Sequence, residues 1–147
     1  MITIQEVLTD VARIVAGVED VTGAFYPAND AAPISPEAVI FWGSDDTEIE
    51  YELGSELWVA PFVIRILVAH QQNQSPAEMG KIDLILQRIQ DLFSPVDGTR
   101  PGDLLQVSGY VSTLRVERIK PGLTTEKGGV PCYAGDAHMR LVFRRVR

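Results

Sequence analysis

Leu57-Trp58-Val59-Ala60-Pro61-Phe62-Val63-Ile64-Arg65-Ile66-Leu67-Val68-Ala69-His70 forms one long apolar run near the middle of the chain. Read with period two, Trp58, Phe62, Ile64, Ile66 and Val68 point one way. Val59, Val63 and Leu67 point the other way, interrupted by Arg65. A strand apolar on one face needs one covering layer, and a strand apolar on both needs two. Pro61 has no N–H to give to a ladder, which predicts a bulge or a free flank near the start of this strand. A helix follows directly. Ser75-Pro76-Ala77-Glu78 supplies a cap, a proline at the first helical position and a Glu three residues on. Met79, Ile82, Ile85, Leu86, Ile89, Leu92 and Phe93 then recur at helical spacing until Ser94-Pro95.

Upstream, Thr3-Ile4-Gln5-Glu6 is a capping-box pattern. Ile4, Val7, Leu8, Val11, Ile14 and Val15 form one apolar stripe, so a first helix is predicted over 3–16, with Gly17 as its stop. Residues 19–37 carry Pro27, Pro33 and Pro36 among small residues without a period, and predict a long interaction loop. Ala38-Val39-Ile40-Phe41-Trp42 is a short β-prone run ended by Gly43. After the turn residues Ser44-Asp45-Asp46, residues 47–53 alternate strictly. Ile49, Tyr51 and Leu53 fall on one side and Glu48, Glu50 and Glu52 on the other, the pattern of a half-buried strand with a carboxylate row in water.

Downstream of the second helix, 96–103 is a Gly/Pro-rich connection. A strand is predicted over 104–119, with Leu114 and Val116 opposite Thr113, Arg115 and Glu117. Pro121-Gly122 predicts a turn and 124–129 a mobile tip ending in Gly128-Gly129. The last strand, 132–146, sets Ala137, Met139, Leu141 and Phe143 against His138, Arg140, Val142 and Arg144. The order α-β-β-β-α-β-β predicts an α+β fold. A single mixed, mainly antiparallel sheet of four to five strands carries two helices packed on one face, in one domain over 1–147. Two helices cover one face, and no third amphipathic helix is legible for the other. That shortage nominates Val59, Val63, Arg65 and Leu67, with Arg140 and Arg144, as a surface completed by another subunit.

The chain has 147 residues, 46% of them apolar and 22% charged, ordinary values for a globular protein. No apolar run reaches the length of a membrane span, and no basic-then-apolar leader opens the chain, so a soluble, unprocessed protein is expected. One cysteine, Cys132, excludes an internal disulfide and reads as a small packed side chain. A net charge of −7 argues against general nucleic-acid binding, which rests on Lys and Arg. The charge is unevenly placed. Residues 1–100 hold 5 basic and 16 acidic side chains, a balance of −11, while 101–147 hold 8 and 4, a balance of +4. Such a split suits contact between opposite-signed parts of neighbouring copies.

No catalytic constellation is legible. His70 and His138 lack a readable partner for metal or acid–base work and read as strand-end and surface residues. Asp45, Asp46, Glu48, Glu50 and Glu52 make an acidic face. Alternate strand positions hold carboxylates about 7 Å apart, too far for a tight shared cation without other ligands. Gly128-Gly129 precedes a strand, not a helix, so it cradles no phosphate. Trp42 and Trp58 read as core or interface anchors. No cofactor, no metal and no enzymatic activity are expected.

The succession of a helix bearing Ile4-Gln5-Glu6-Val7-Leu8, a proline-bearing loop, a short strand at 38–42, an acidic hairpin at 44–53, a long strand at 57–70, a helix opening at Ser75-Pro76 and two terminal strands resembles the tail terminator (tail completion, or neck) proteins of tailed bacteriophages. The resemblance covers nearly the whole chain. It implies a homohexameric ring that caps the tail tube, ends its polymerisation and meets the head-side neck or connector protein, with DNA passing through the lumen. The implied partners are further copies, the major tail tube protein and the connector, with no membrane. The implied location is the virion tail, after assembly in the host cytoplasm. The acidic face would line the lumen and let DNA slide. Two alternatives stay open: a head–tail adaptor, and a small enzyme or ligand-binding domain using His70 or His138.

Overall fold

Along the chain the elements run Ile4–Ala16 (α1), Gly23–Phe25 (β1), Glu37–Trp42 (β2), a 3-10 turn at Ser44–Asp46, Glu48–Glu52 (β3), Ser55–Ala69 (β4), Pro76–Leu92 (α2), Val111–Lys127 (β5) and Val130–Val146 (β6). The computed structural model describes residues 2–70, 76–94, 105 and 110–146, without the side chains of 76–78. The Ser75 cap, the 96–103 connection and the predicted strand start at Leu104 lie outside the described residues.

The strands form one sheet in the order β1-β2-β4-β6-β5, with β3 also paired to β4. β1 runs parallel to β2 and every other pairing is antiparallel. One edge of β4 pairs with β6 along its whole length, from Ser55 opposite Val146 to Ala69 opposite Cys132. The other edge is shared. β2 takes residues 62–67 and β3 takes 55–59. The gap between them falls at Ala60 and Pro61, where the chain leaves the sheet through the Ser44–Asp46 turn. Proline sits where a ladder is interrupted, as its missing N–H requires.

The α+β class and the mixed, mainly antiparallel sheet agree with expectation, but there are six strands instead of four to five. The addition is β1, three residues inside the proline-bearing loop, too short to show a period. The last hairpin also turns later than predicted. Gly128 and Gly129 both have positive φ, 58° and 77°, as a tight two-residue hairpin turn demands. Pro121-Gly122 is absorbed into β5 as an irregularity between Lys120 and Leu123. Residues 124–127 are therefore strand, not a mobile tip.

Both helices lie on one face of the sheet. α1 starts with a complete capping box: Glu6 N–H donates to Thr3 Oγ1 at 3.2 Å, and Thr3 N–H donates to Glu6 Oε2 at 3.1 Å. Its stripe Ile4, Val7, Leu8, Val11 and Val15 is buried against the sheet's β1–β2 side. α2 lies on β4, β5 and β6 and buries Ile82, Ile85, Leu86 and Ile89, followed by Phe93 just past its end. Five such side chains contribute on the order of 10 kcal/mol of gross hydrophobic stabilisation. Met79, predicted in the stripe, is 39% exposed. The sheet side of this core is Ala38 and Ile40, Ala60, Phe62, Ile64, Ile66 and Val68, and Ala137, Met139, Leu141 and Phe143.

α2 approaches the sheet most closely over Gly135. A β-carbon there would lie 2.6 Å from Ile82 Cγ2 and 2.7 Å from Leu86 Cδ1. Overpacking of this kind costs about 1–3 kcal/mol. Gly135→Ala is expected to lower unfolding free energy by that amount in urea titration. Unchanged stability would mean that α2 does not rest on this glycine.

Candidate functional site

Directly opposed residues of an antiparallel pair share a face. The ladder therefore brings the expected acidic row and the expected subunit surface onto one face, the one without helices. Glu48, Glu50 and Glu52 of β3 lie there with Val59, Val63, Arg65 and Leu67 of β4, and with His138, Arg140 and Arg144 of β6. β5 adds Arg115, Arg118 and Lys120, opposite Arg140, His138 and Asp136.

At one end this face is covered by the chain itself. Val39, Leu67, Cys132 and Ala134 form a second small core, closed by Phe25 at the end of β1, by Ala28 just after it and by Leu123 and Val130. Leu67 is 1% exposed. Its assignment to a subunit interface is overturned, because the proline-bearing loop supplies the missing cover. Burial also pushes the Cys132 thiol above its ordinary value, leaving it inert.

Lys127 clasps this cover in place. Its Nζ donates to Asn29 Oδ1 at 2.6 Å and to the Ala31 carbonyl at 2.7 Å, and lies 2.8 Å from Glu37 Oε2. The Glu37 contact is a charge pair, not an aligned hydrogen bond, since that oxygen has no hydrogen-bond partner. The side chains are 9% and 1% exposed, so each charge depends on the other. Gly128 completes the fit, because a β-carbon on it would meet Ala32 N at 2.4 Å.

Beyond the loop no other described segment covers the face. Arg65 makes a bidentate pair with Asp136, Nε to Oδ1 at 2.7 Å and a terminal nitrogen to Oδ2 at 2.9 Å. Its guanidinium lies 5.4 Å from the centre of the Phe41 ring. Arg65 is thus engaged within its own subunit while remaining 29% exposed on this face. Val59 and Val63 are half-buried and Phe41 is 43% exposed. Arg144 pairs with Glu52 and also donates to Ser55, while Arg140 stands 3.9 Å from Glu117. Hydrogen bonding to Arg144 holds the Glu52 carboxyl below its ordinary range. A concavity of about 720 Å³ opens among Phe41, Pro61, Val63, Arg118 and His138.

All five residues of β3 are exposed, so it is not the half-buried strand its alternation predicts. The period correctly set Ile49 and Tyr51 on the side opposite the glutamates, which the register makes the helix side, but no helix packs on β3. Tyr51 is 68% exposed and Leu53, on the hairpin tip, is fully exposed. Asp45, Asp46, Glu48 and Glu50 have no ion pair among the described residues. Trp42 and Trp58 are partly buried against the main core, their indole N–H groups donating to Thr47 Oγ1 and Glu56 Oε2.

His70 follows directly on β4 and stands edge-on to Tyr133, with ring centres 4.8 Å apart. His138 lies in the concavity with a buried Nε2 that has no hydrogen-bond partner. Burial, and then repulsion from Arg118, push its pKa down. The two histidines are on different parts of the sheet. Among the described residues no group of three or more His, Cys, Asp and Glu is placed to hold a metal ion, and no helix is long and apolar enough to cross a membrane. The arrangement offers a mixed apolar and charged surface suited to contacts with a macromolecule. The sequence matches no family model and no curated protein at a significant level.

Two outcomes check this surface. Lys127→Met strands a buried carboxylate and is expected to cost about 3–5 kcal/mol, with faster amide exchange in residues 26–32; adding Glu37→Gln should restore most of the loss. A change under about 0.5 kcal/mol, the scale of ordinary surface substitutions, would refute the clasp. Because folding depresses the His138 pKa, the unfolded chain binds more protons as pH falls below about 6.5. Stability should therefore drop as pH falls through that value, and His138→Gln should flatten this part of the profile in urea titrations. A profile identical to wild type would show that His138 titrates freely.

Proposed function

We propose that this chain is a structural subunit of a ring that caps the tail tube of a tailed bacteriophage, ends tube growth and joins the tail to the head-side connector. The observation that carries the reading is the uncovered remainder of the sheet: the open end of the second face and the whole of β3, with Phe41, Tyr51 and Leu53 among its exposed apolar side chains. Exposed apolar side chains around one end of a sheet, interspersed with charge, are characteristic of an interaction site. Support also comes from the element order, which resembles that of tail terminators.

In this reading a neighbouring subunit covers part of the open face, and six copies close the ring. The carboxylates Asp45, Asp46, Glu48 and Glu50, which have no ion pair among the described residues, lie at or near one sheet edge. Those left facing the channel repel the phosphate backbone, so DNA passes without adsorbing. Exposed apolar residues at the β3–β4 hairpin tip provide a contact for the tube or the connector.

Light scattering of the purified protein is expected to give a mass of about six chains. Negative-stain images are expected to place it at the ends of tail tubes and to show shorter, uniform tubes in its presence. A monomer at every concentration, or tubes whose lengths ignore it, would overturn the proposal.

A further inference from the structure

Three strand edges lack a partner among the described residues: that of β1, three residues long and paired only with β2, that of β3, which pairs only with β4, and that of β5, which pairs only with β6. Open edges invite uncontrolled pairing unless charge or irregularity blocks it. The edges of β3 and β5 are blocked, with opposite signs. β3 presents Glu48 and Glu50 around Ile49. β5 is interrupted by shifts between Val116 and Arg118 and between Lys120 and Leu123. The regular stretch between those shifts is Arg118-Ile119-Lys120.

Glu-Ile-Glu and Arg-Ile-Lys match position by position. Glu48 and Glu50 lie on the face without helices, as do Arg118 and Lys120, while Ile49 and Ile119 both lie on the helix face. All four charged side chains are exposed, and none of them is in an ion pair among the described residues. Ile49 is 37% exposed and Ile119 is only partly buried. Strand direction also agrees. β3 opposes β4, β4 opposes β6 and β6 opposes β5, so β3 and β5 run in opposite senses. Rotation of a second copy about an axis along the strands preserves this and brings the two edges together antiparallel.

We infer that β3 of one copy adds to β5 of the next, with Glu50 opposite Arg118, Ile49 opposite Ile119 and Glu48 opposite Lys120. The sheet then continues from subunit to subunit with one face throughout. This deepens the ring reading above and rests on it. The joint is heterologous, since each copy uses one edge of each kind, and such a contact propagates until rotation closes it. Charge sets the choice of partner. β3 against β3 places Glu beside Glu, and β5 against β5 places Arg and Lys together, so only the unlike pairing is permitted.

The test is reciprocal charge reversal, read by light scattering with circular dichroism as a check on folding. Glu48→Lys with Glu50→Lys is one variant, and Arg118→Glu with Lys120→Glu is the other. Each alone is expected to give folded single chains. Mixing the two, or combining all four changes in one chain, is expected to restore the multimer. Wild-type multimers with both variants equally multimeric would overturn the joint and leave the ring reading standing. Folded variants that dissociate but do not recover on combination would also overturn it. A wild-type protein that is monomeric throughout would overturn the joint and the ring together.

Discussion

A fifteen-residue strand that is apolar on both faces sets the terms for this molecule. β4 cannot lie at a wet surface on either side, so the chain must supply two covers or borrow one. Two amphipathic helices meet the first requirement. α1 and α2 bury their stripes on the side of Phe62, Ile64, Ile66 and Val68, and the closeness of α2 over Gly135 leaves no room for slack. The second requirement is met over only part of the other face, and the behaviour of the rest of the surface follows from that.

The partial cover is a loop, and loops seldom bury apolar surface well because their backbone groups need partners. Here Lys127 provides one, for the Ala31 carbonyl, and binds two side chains besides. Its ammonium reaches across from the last hairpin to Asn29, Ala31 and Glu37, tying the early loop to the late strands. The clasp also accounts for a buried lysine and a buried glutamate, costly singly and tolerable together. Past its reach, the Arg65–Asp136 pair and the Phe41 ring fill the centre of the face. β3 hangs beyond both helices, with apolar and acidic residues alike exposed.

Much of the fold was legible because its main elements are long and periodic. The capping box at Thr3, the stripes of both helices and the alternation of 57–70 each announce a local structure and the face it buries. What escaped was tertiary. β1 has three residues and no period, and a lysine at the end of a strand gives no sign that it will be buried against a loop a hundred residues earlier. Leu67 and Arg65 looked unpartnered because their partners come from distant segments without recognisable patterns. The alternation at 47–53 assigned faces correctly but could not say how far the helices extend. The proximity of the acidic row to Arg140 and Arg144 was invisible until the register of β3 on β4 and of β4 on β6 was known.

The uneven charge of the chain acquires a location in the sheet. Part of the acidic excess, Glu48, Glu50 and Glu52, lies on the edge strand β3, and part of the basic excess, Arg115, Arg118 and Lys120, lies on the edge strand β5. In the proposed joint, the acidic edge of one copy meets the basic edge of the next. The most direct measurement is amide hydrogen exchange at concentrations above and below assembly. Amides of 48–50 and 118–120 should become protected together on assembly while those of α1 stay unchanged. Equal exchange at these two edges in the assembled and dissociated protein would contradict the account.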